Sequence, residues 1–220
     1  MKQLAEDLHM LQGFPPNAIN VYVAGDVLID AATRQGEKRI LRQIAARNIT
    51  THALTHAHPD HQGASHAICE RLGIPLWCGR DDIPAMENGV KLPTKTPWAI
   101  RAFEERFWVG PPHPVARALG EGDEVAGFTV LETPGHSIGH VAYWRERDRV
   151  LILGDVLNNM NVRTGIPGLH EPPAFFTPDP ARNRESARRL AALEPSLVCF
   201  GHGAPLRDTS KLREFVAGLG

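Results

Sequence analysis

"THAHPDHQG", residues 55–63, sets three histidines and an aspartate between His56 and His61. Metal-capable side chains crowd like this when they aim at a shared target. Three more apolar stretches end the same way. Residues 128–133 run into "TPGHSIGH", with His136 and His140. "VLIL", 150–153, runs into Gly154-Asp155, and "LVCF", 197–200, runs into Gly201-His202-Gly203. Short apolar runs bounded by turn residues read as buried strands. Four strands that each end in a ligand-type side chain converge on one sheet edge. The glycine before Asp155 and those on both sides of His202 leave the backbone free to turn those ligands inward.

The number of donors sets the kind of centre. Catalytic zinc takes about three protein ligands and keeps a position for water. Five histidines and two aspartates are too many for one tetrahedral ion. Two ions about 3.5–4 Å apart use them all. His56 and His58 can aim at one ion with His136, while Asp60 and His61 can hold the second with His202. Asp155 is the natural bridge, because a carboxylate has two oxygens to share. Asp60 can also act in catalysis, orienting the attacking hydroxide or passing on its proton.

Along the chain, strand, loop and helix alternate, the pattern of a layered α/β domain. "INVYVAGDVLIDA" reads as a hairpin turning at Gly25-Asp26. "GEKRILRQIAAR" puts Ile40, Leu41 and Ile44 on one helical face. "HQGASHAICERLG" reads as a helix closed by Gly73, with the strand "PLWCG" following. Asp179 and Pro180 start another helix, and Pro195 stands just past its end. Residues 84–118 break the rhythm with six prolines beside Trp98, Phe103, Phe107 and Trp108. The prolines argue against a long regular element there. We read the segment as an insertion in one domain spanning 1–220, serving as a substrate lid, a subunit contact or plain packing. The loop 158–176 follows Asp155 directly and is a second candidate pocket wall, or its Phe175 and Phe176 belong to the core.

Composition narrows the function classes. A 220-residue chain with a formal charge of −1 is not built for broad electrostatic capture of nucleic acid. Three cysteines without repeated spacing do not suggest a disulfide framework. No apolar run approaches the ~20 residues of a membrane span, and Glu6 and Asp7 interrupt any leader-like apolar core. These features predict a cytoplasmic protein that acts on a small molecule, with no nucleic-acid or membrane partner; a homo-oligomer remains open. His52 and His66 read as structural or exposed, and His9 and His113 give no signal.

"THAHPDH", "TPGHSIGH", "GD" at 154–155 and "GHG" at 201–203 together resemble the metallo-β-lactamase superfamily, from about residue 20 to residue 206. The resemblance implies a four-layered αββα sandwich with the metals at one edge of two sheets. It implies a zinc-dependent hydrolase carrying two Zn2+ ions, with iron or manganese as alternatives, that attacks substrate with metal-bound hydroxide. Asp30 would sit beneath the metal loop and orient a ligand histidine, or it is plain turn chemistry. "TPGHSIGH" is more similar to the glyoxalase II-like and lactonase-like branches, which points to a thioester, lactone or related ester or amide. About 18 residues follow His202, too few for the glutathione-holding helical domain of glyoxalase II. Tyr22 and Tyr143 both fall in predicted strands, so neither supports a lactonase pocket tyrosine. Two alternatives stand: a mononuclear iron oxidoreductase resembling persulfide dioxygenases, and a non-catalytic metal-binding protein.

Overall fold

The computed structural model describes residues 1–220. Seven strands form the first sheet in chain order: β1 (Lys2–Ala5), β2 (Leu8–Met10), β3 (Tyr22–Ala24), β4 (Val27–Ile29), β5 (Thr51–Ala53), β6 (Leu76–Gly79) and β7 (Arg117–Leu119). Pairing is antiparallel from β1 to β4 and parallel from β4 to β7. Parallel neighbours need long crossovers, and helices provide them. α1 (Glu37–Ile44) joins β4 to β5, while α2 (Pro59–Gln62) and α3 (Ser65–Leu72) join β5 to β6. α4 (Ile83–Asn88) and α5 (Trp98–Phe107) join β6 to β7.

The second sheet contains β8 (Glu124–Val125), β9 (Phe128–Glu132), β10 (Val141–Arg145) and β11 (Val150–Gly154). After a small ribbon of β12 (Asn158–Met160) and β13 (Pro167–His170), α6 (Pro180–Ala191) leads into β14 (Leu197–Phe200). β14 pairs parallel to β11, and α7 (Ser210–Ala217) closes the chain.

Alternation along the strands produces the layers. Tyr143, Ile152 and Cys199 point into the core between the sheets, where they meet Tyr22, Ile29 and Ala53. Their neighbours Trp144, Leu153 and Phe200 face the other way and pack against Leu190 of α6 and Leu212 of α7. On the far side, Ile40 and Ile44 of α1 and Ile68 of α3 cover Val23 and Leu28 of the first sheet. Full burial of each such side chain contributes about 1.5–3 kcal/mol. The result is the expected αββα sandwich: two mixed sheets with helices on both outer faces.

Several sequence expectations appear in detail. The Gly25-Asp26 turn joins β3 to β4, and the Asp179 side chain caps α6 by accepting from the Arg182 N–H at 3.0 Å. The helix expected from His61 to Leu72 is instead two, α2 and α3, broken at Gly63-Ala64. Residues 84–118 correct the expectation of no long regular element. α5 runs ten residues, because Pro93 and Pro97 precede it and Pro111, Pro112 and Pro114 follow it. Proline at those positions bounds a helix without interrupting it.

Candidate metal centre

The predicted donors come together where the strands end. β5 delivers His56, His58, Asp60 and His61; the loop after β9 delivers His136; β11 delivers Asp155; β14 delivers His202. Donor atoms of His56, His58 and His136 all lie within 4.8 Å of one another. The same limit holds for Asp60, His61 and His202, and for His56, His61 and Asp155. Asp155 stands between the two outer groups. Its Oδ2 is 3.1 Å from His202 Nε2 and 3.6 Å from His136 Nε2, while its Oδ1 is 3.4 Å from His61 Nε2. All seven residues therefore share neighbours. Gly201 makes the approach possible, since a Cβ there would overlap Asp155 Oδ1.

The electrostatics divide along the same line. Burial, reinforced by neighbouring imidazoles, pushes His56 and His136 well below the ordinary histidine range. Neutral rings are the form that coordinates a cation. Around Asp155 the balance reverses. Burial opposes charge on His202, but the carboxylates of Asp155 and Asp60 bring its pKa up to about 10. His61 is raised likewise, burial being outweighed by Asp155, Asp30 and Asp60. Protons here occupy positions suited to a cation. His56 Nε2, His61 Nε2 and Asp155 Oδ1 are buried without a hydrogen-bond partner, the last two standing 3.4 Å apart. Such orphaned atoms carry a desolvation cost, and a cation among them would remove it. The donor set fits metal.

Supporting contacts fix which ring nitrogen faces inward. Asp30 accepts from Thr55 N–H and Thr55 O–H, both at 2.8 Å, and from His61 Nδ1–H at 2.9 Å. His61 is thus held with Nε2 toward Asp155, the orienting role that the resemblance implied. His202 Nδ1 donates to the Ala18 carbonyl, which turns Nε2 toward Asp60 and Asp155. His140 supports the centre from behind: the Asp155 N–H donates to its Nε2 at 3.1 Å, so Nδ1–H donates to Thr133 Oγ1 at 2.8 Å. Burial takes this ring down to about 3, so it stays neutral. His52 is also structural, with Nδ1–H donating to the Leu28 carbonyl at 3.1 Å. Tyr143 donates from deep in the core to the Leu54 carbonyl at 2.6 Å, outside the lining of the cavity at the centre.

Two contributors escaped the sequence reading. Buried Asp82 accepts from Ala57 N–H and Ser137 O–H, each at 2.9 Å, and from Gly139 N–H at 3.0 Å. It ties the loop carrying His56 and His58 to the loop carrying His136. Glu104 of α5 is only 6% exposed and lines the cavity beside the centre. Burial, with Asp60 nearby, pushes its carboxyl up to about 8. Neither residue sits in a motif.

The centre opens into a cavity of about 690 Å³. Phe14, Leu92, Trp108, Met160, Phe175 and Phe176 give it apolar walls, while Arg39, Glu104 and Arg163 add charged groups. Phe175 and Phe176 thus belong to the pocket. Of the aromatics in the 84–118 segment, Trp108 faces the cavity, whereas Trp98 is 77% exposed and Phe107 43% exposed. His170 stands on β13 outside the cavity lining.

Comparison with known proteins agrees with this geometry. Residues 14–202 match the family model described as the metallo-beta-lactamase superfamily. YflN of Bacillus subtilis, described as a probable metallo-hydrolase, is 30% identical over 200 residues, covering 82% of this chain and 76% of YflN. A hydroxyacylglutathione hydrolase of Bdellovibrio bacteriovorus is 26% identical over 151 residues, which are 67% of this chain and 46% of that enzyme. Among solved structures, TTHA1623 in a di-iron-bound form superposes with a TM-score of 0.64 at 29% identity, covering 94% of this chain and 93% of that one.

Proposed function

The chain belongs to the metallo-β-lactamase superfamily, and on that premise we propose that it is a dinuclear metal-dependent hydrolase of small thioesters, lactones or related acyl compounds. His56, His58 and His136 would hold one cation, Asp60, His61 and His202 the other, with Asp155 shared between them. Bound there, the pair supplies Lewis acidity and brings the pKa of coordinated water toward neutrality. One observation carries this reading: seven converging donors, three with orphaned buried atoms, open onto a largely apolar cavity.

The chain's own residues supply the rest. Asp60 is the more open of the two donor-set carboxylates that line the cavity, 20% exposed at its side chain against 6% for Asp155, and its Oδ2 is 3.2 Å from His202 Nε2. Burial works against its charge, but His61 and His202 hold it ionised, well below the usual carboxylate range. An ionised carboxylate at the cavity floor can orient the attacking water and accept its proton. The aromatic walls would bind an apolar acyl group and exclude bulk solvent. Residues 84–118 enter this reading as a substrate wall, through Leu92, Glu104 and Trp108.

Zinc is our first assignment for the metal; imidazole and carboxylate also suit iron, the metal in TTHA1623. No helix is long and apolar enough to cross a membrane. The three cysteines are unpaired, which supports a reducing compartment, the cytoplasm.

The test combines metal analysis of protein purified without chelator with a panel of thioesters, lactones, β-lactams and phosphoesters. Turnover of an acyl substrate that Asp155→Asn abolishes, with reduced metal retention, is the expected result. Full activity in that variant after chelation would end the proposal. Oxygen consumption with a persulfide, and no hydrolysis, would move the assignment to the oxidoreductase alternative.

A further inference from the structure

Away from the cavity, α3 and the chain returning from α5 bring three more donors together. His66 and Glu70 are one turn apart on α3, so both lie on the same side of that helix. His113 comes from the irregular stretch before β7; its backbone N–H donates to the Met86 carbonyl at 2.8 Å, which anchors it. The residue is only 8% exposed. His113 Nδ1 lies 3.2 Å from His66 Nδ1 and 3.9 Å from Glu70 Oε1. One donor atom from each of the three residues lies within 4.8 Å of the other two.

Those separations carry information. Ligands about 2.0–2.2 Å from a tetrahedral zinc ion sit roughly 3.3–3.6 Å apart along each edge. The two measured gaps fall on either side of that range. Closing the remaining distance needs only a small movement of Glu70, whose side chain is 66% exposed. Burial, helped by His66, lowers the pKa of His113, while Glu70 pulls weakly the other way. The ring is therefore neutral near pH 7, as a metal ligand must be. A shared proton between the two Nδ1 atoms would explain the ring-to-ring contact alone and leave the carboxylate uninvolved.

We propose that His66, Glu70 and His113 form a separate binding site for a divalent transition-metal ion of the zinc class, fastening α3 to the chain that returns from α5. Two imidazoles and a carboxylate, with a solvent-facing position left over, are a donor set that zinc accepts. The fastened chain is the cavity wall. Trp108 faces the cavity, and its carbonyl accepts from Arg34 N–H at 3.1 Å. A Cβ on Gly110 would overlap the Gly63 carbonyl, and one on Gly63 would overlap the Arg34 and Trp108 backbones. A metal clip at His113 thus secures a segment lying against the loop that carries Asp60 and His61. The site is independent of the hydrolase reading.

The experiment compares wild-type holoprotein with the double variant His66→Gln/Glu70→Gln after dialysis against the same zinc buffer. Wild type should retain one more zinc ion per chain than the variant, and added zinc should raise its Tm further. Equal zinc content in a folded variant overturns the proposal. A measurement on wild type alone covers the case of a misfolded variant. With the main centre already loaded, zinc should shift the His66 and His113 Nδ1 resonances together in long-range 1H–15N spectra. Unmoved resonances at saturating zinc overturn the proposal equally.

Discussion

Replacing Glu104 with glutamine should change how stability depends on pH. Burial, with Asp60 nearby, raises the Glu104 pKa from 4.5 to about 8. Between those values the folded, metal-free chain keeps a proton that the unfolded chain has released. Folding stability therefore falls as pH rises from about 4.5 to about 8, and levels off above that. Complete expression of the shift would amount to about 5 kcal/mol. The carboxyl lines an open cavity, so solvent screening reduces this to roughly 2 kcal/mol. Glutamine has nearly the same shape and no proton to lose. In chelator-treated protein, Glu104→Gln should match wild type within about 0.5 kcal/mol at pH 5 and exceed it by roughly 2 kcal/mol at pH 9. Urea unfolding at the two pH values measures both differences, and groups common to the two proteins cancel. A difference that is the same at pH 5 and pH 9 would refute the reasoning. Cations in the centre should shrink the effect, because positive charge beside Asp60 favours the ionised carboxyl.

Three further outcomes follow from the same contacts. Gly201→Ala would push a methyl group into Asp155; displacing that carboxylate by about 1 Å should cost at least ~100-fold in turnover, and unchanged kcat would contradict the packing. Asp30→Asn leaves one oxygen, beside an NH2 donor, for the Thr55 N–H, the Thr55 O–H and His61 Nδ1–H. That loosens the hold on His61, so metal affinity measured by chelator competition should fall about 10–100-fold; an unchanged affinity would show that Asp30 does not tune the centre. Tyr143→Phe leaves the buried Leu54 carbonyl without its donor, which should cost about 1–2 kcal/mol in urea unfolding while activity per folded molecule holds; a selective loss of activity would return this tyrosine to the substrate pocket.

The convergence of the donor side chains was legible because they follow the ends of strands, where local apolar pattern and turn residues disclose them. The strands themselves were equally legible from unbroken apolar runs such as Val150 to Leu153, whereas which side chains face the inner core was not, because both faces of the strand are apolar. Other features depend on partners distant in sequence. Asp82 acts through bonds to residues 25, 55 and 57 positions away, and nothing around it announces those partners. Glu104 is one of several charges in a segment whose prolines point to irregular chain, until α5 is seen to turn it, with Ile100, toward the cavity. The prolines of 84–118 misled because their positions at the ends of α5 matter more than their number. β1 and β2 went unseen because their short, half-polar sequences become strands only beside β3.

Anomalous diffraction from crystals of the metal-loaded protein tests the central claim most directly. The account predicts two peaks about 3.5–4 Å apart, one among His56, His58 and His136, the other among Asp60, His61 and His202, with an oxygen of Asp155 bonded to each. A single peak, or two that do not share Asp155, would contradict it.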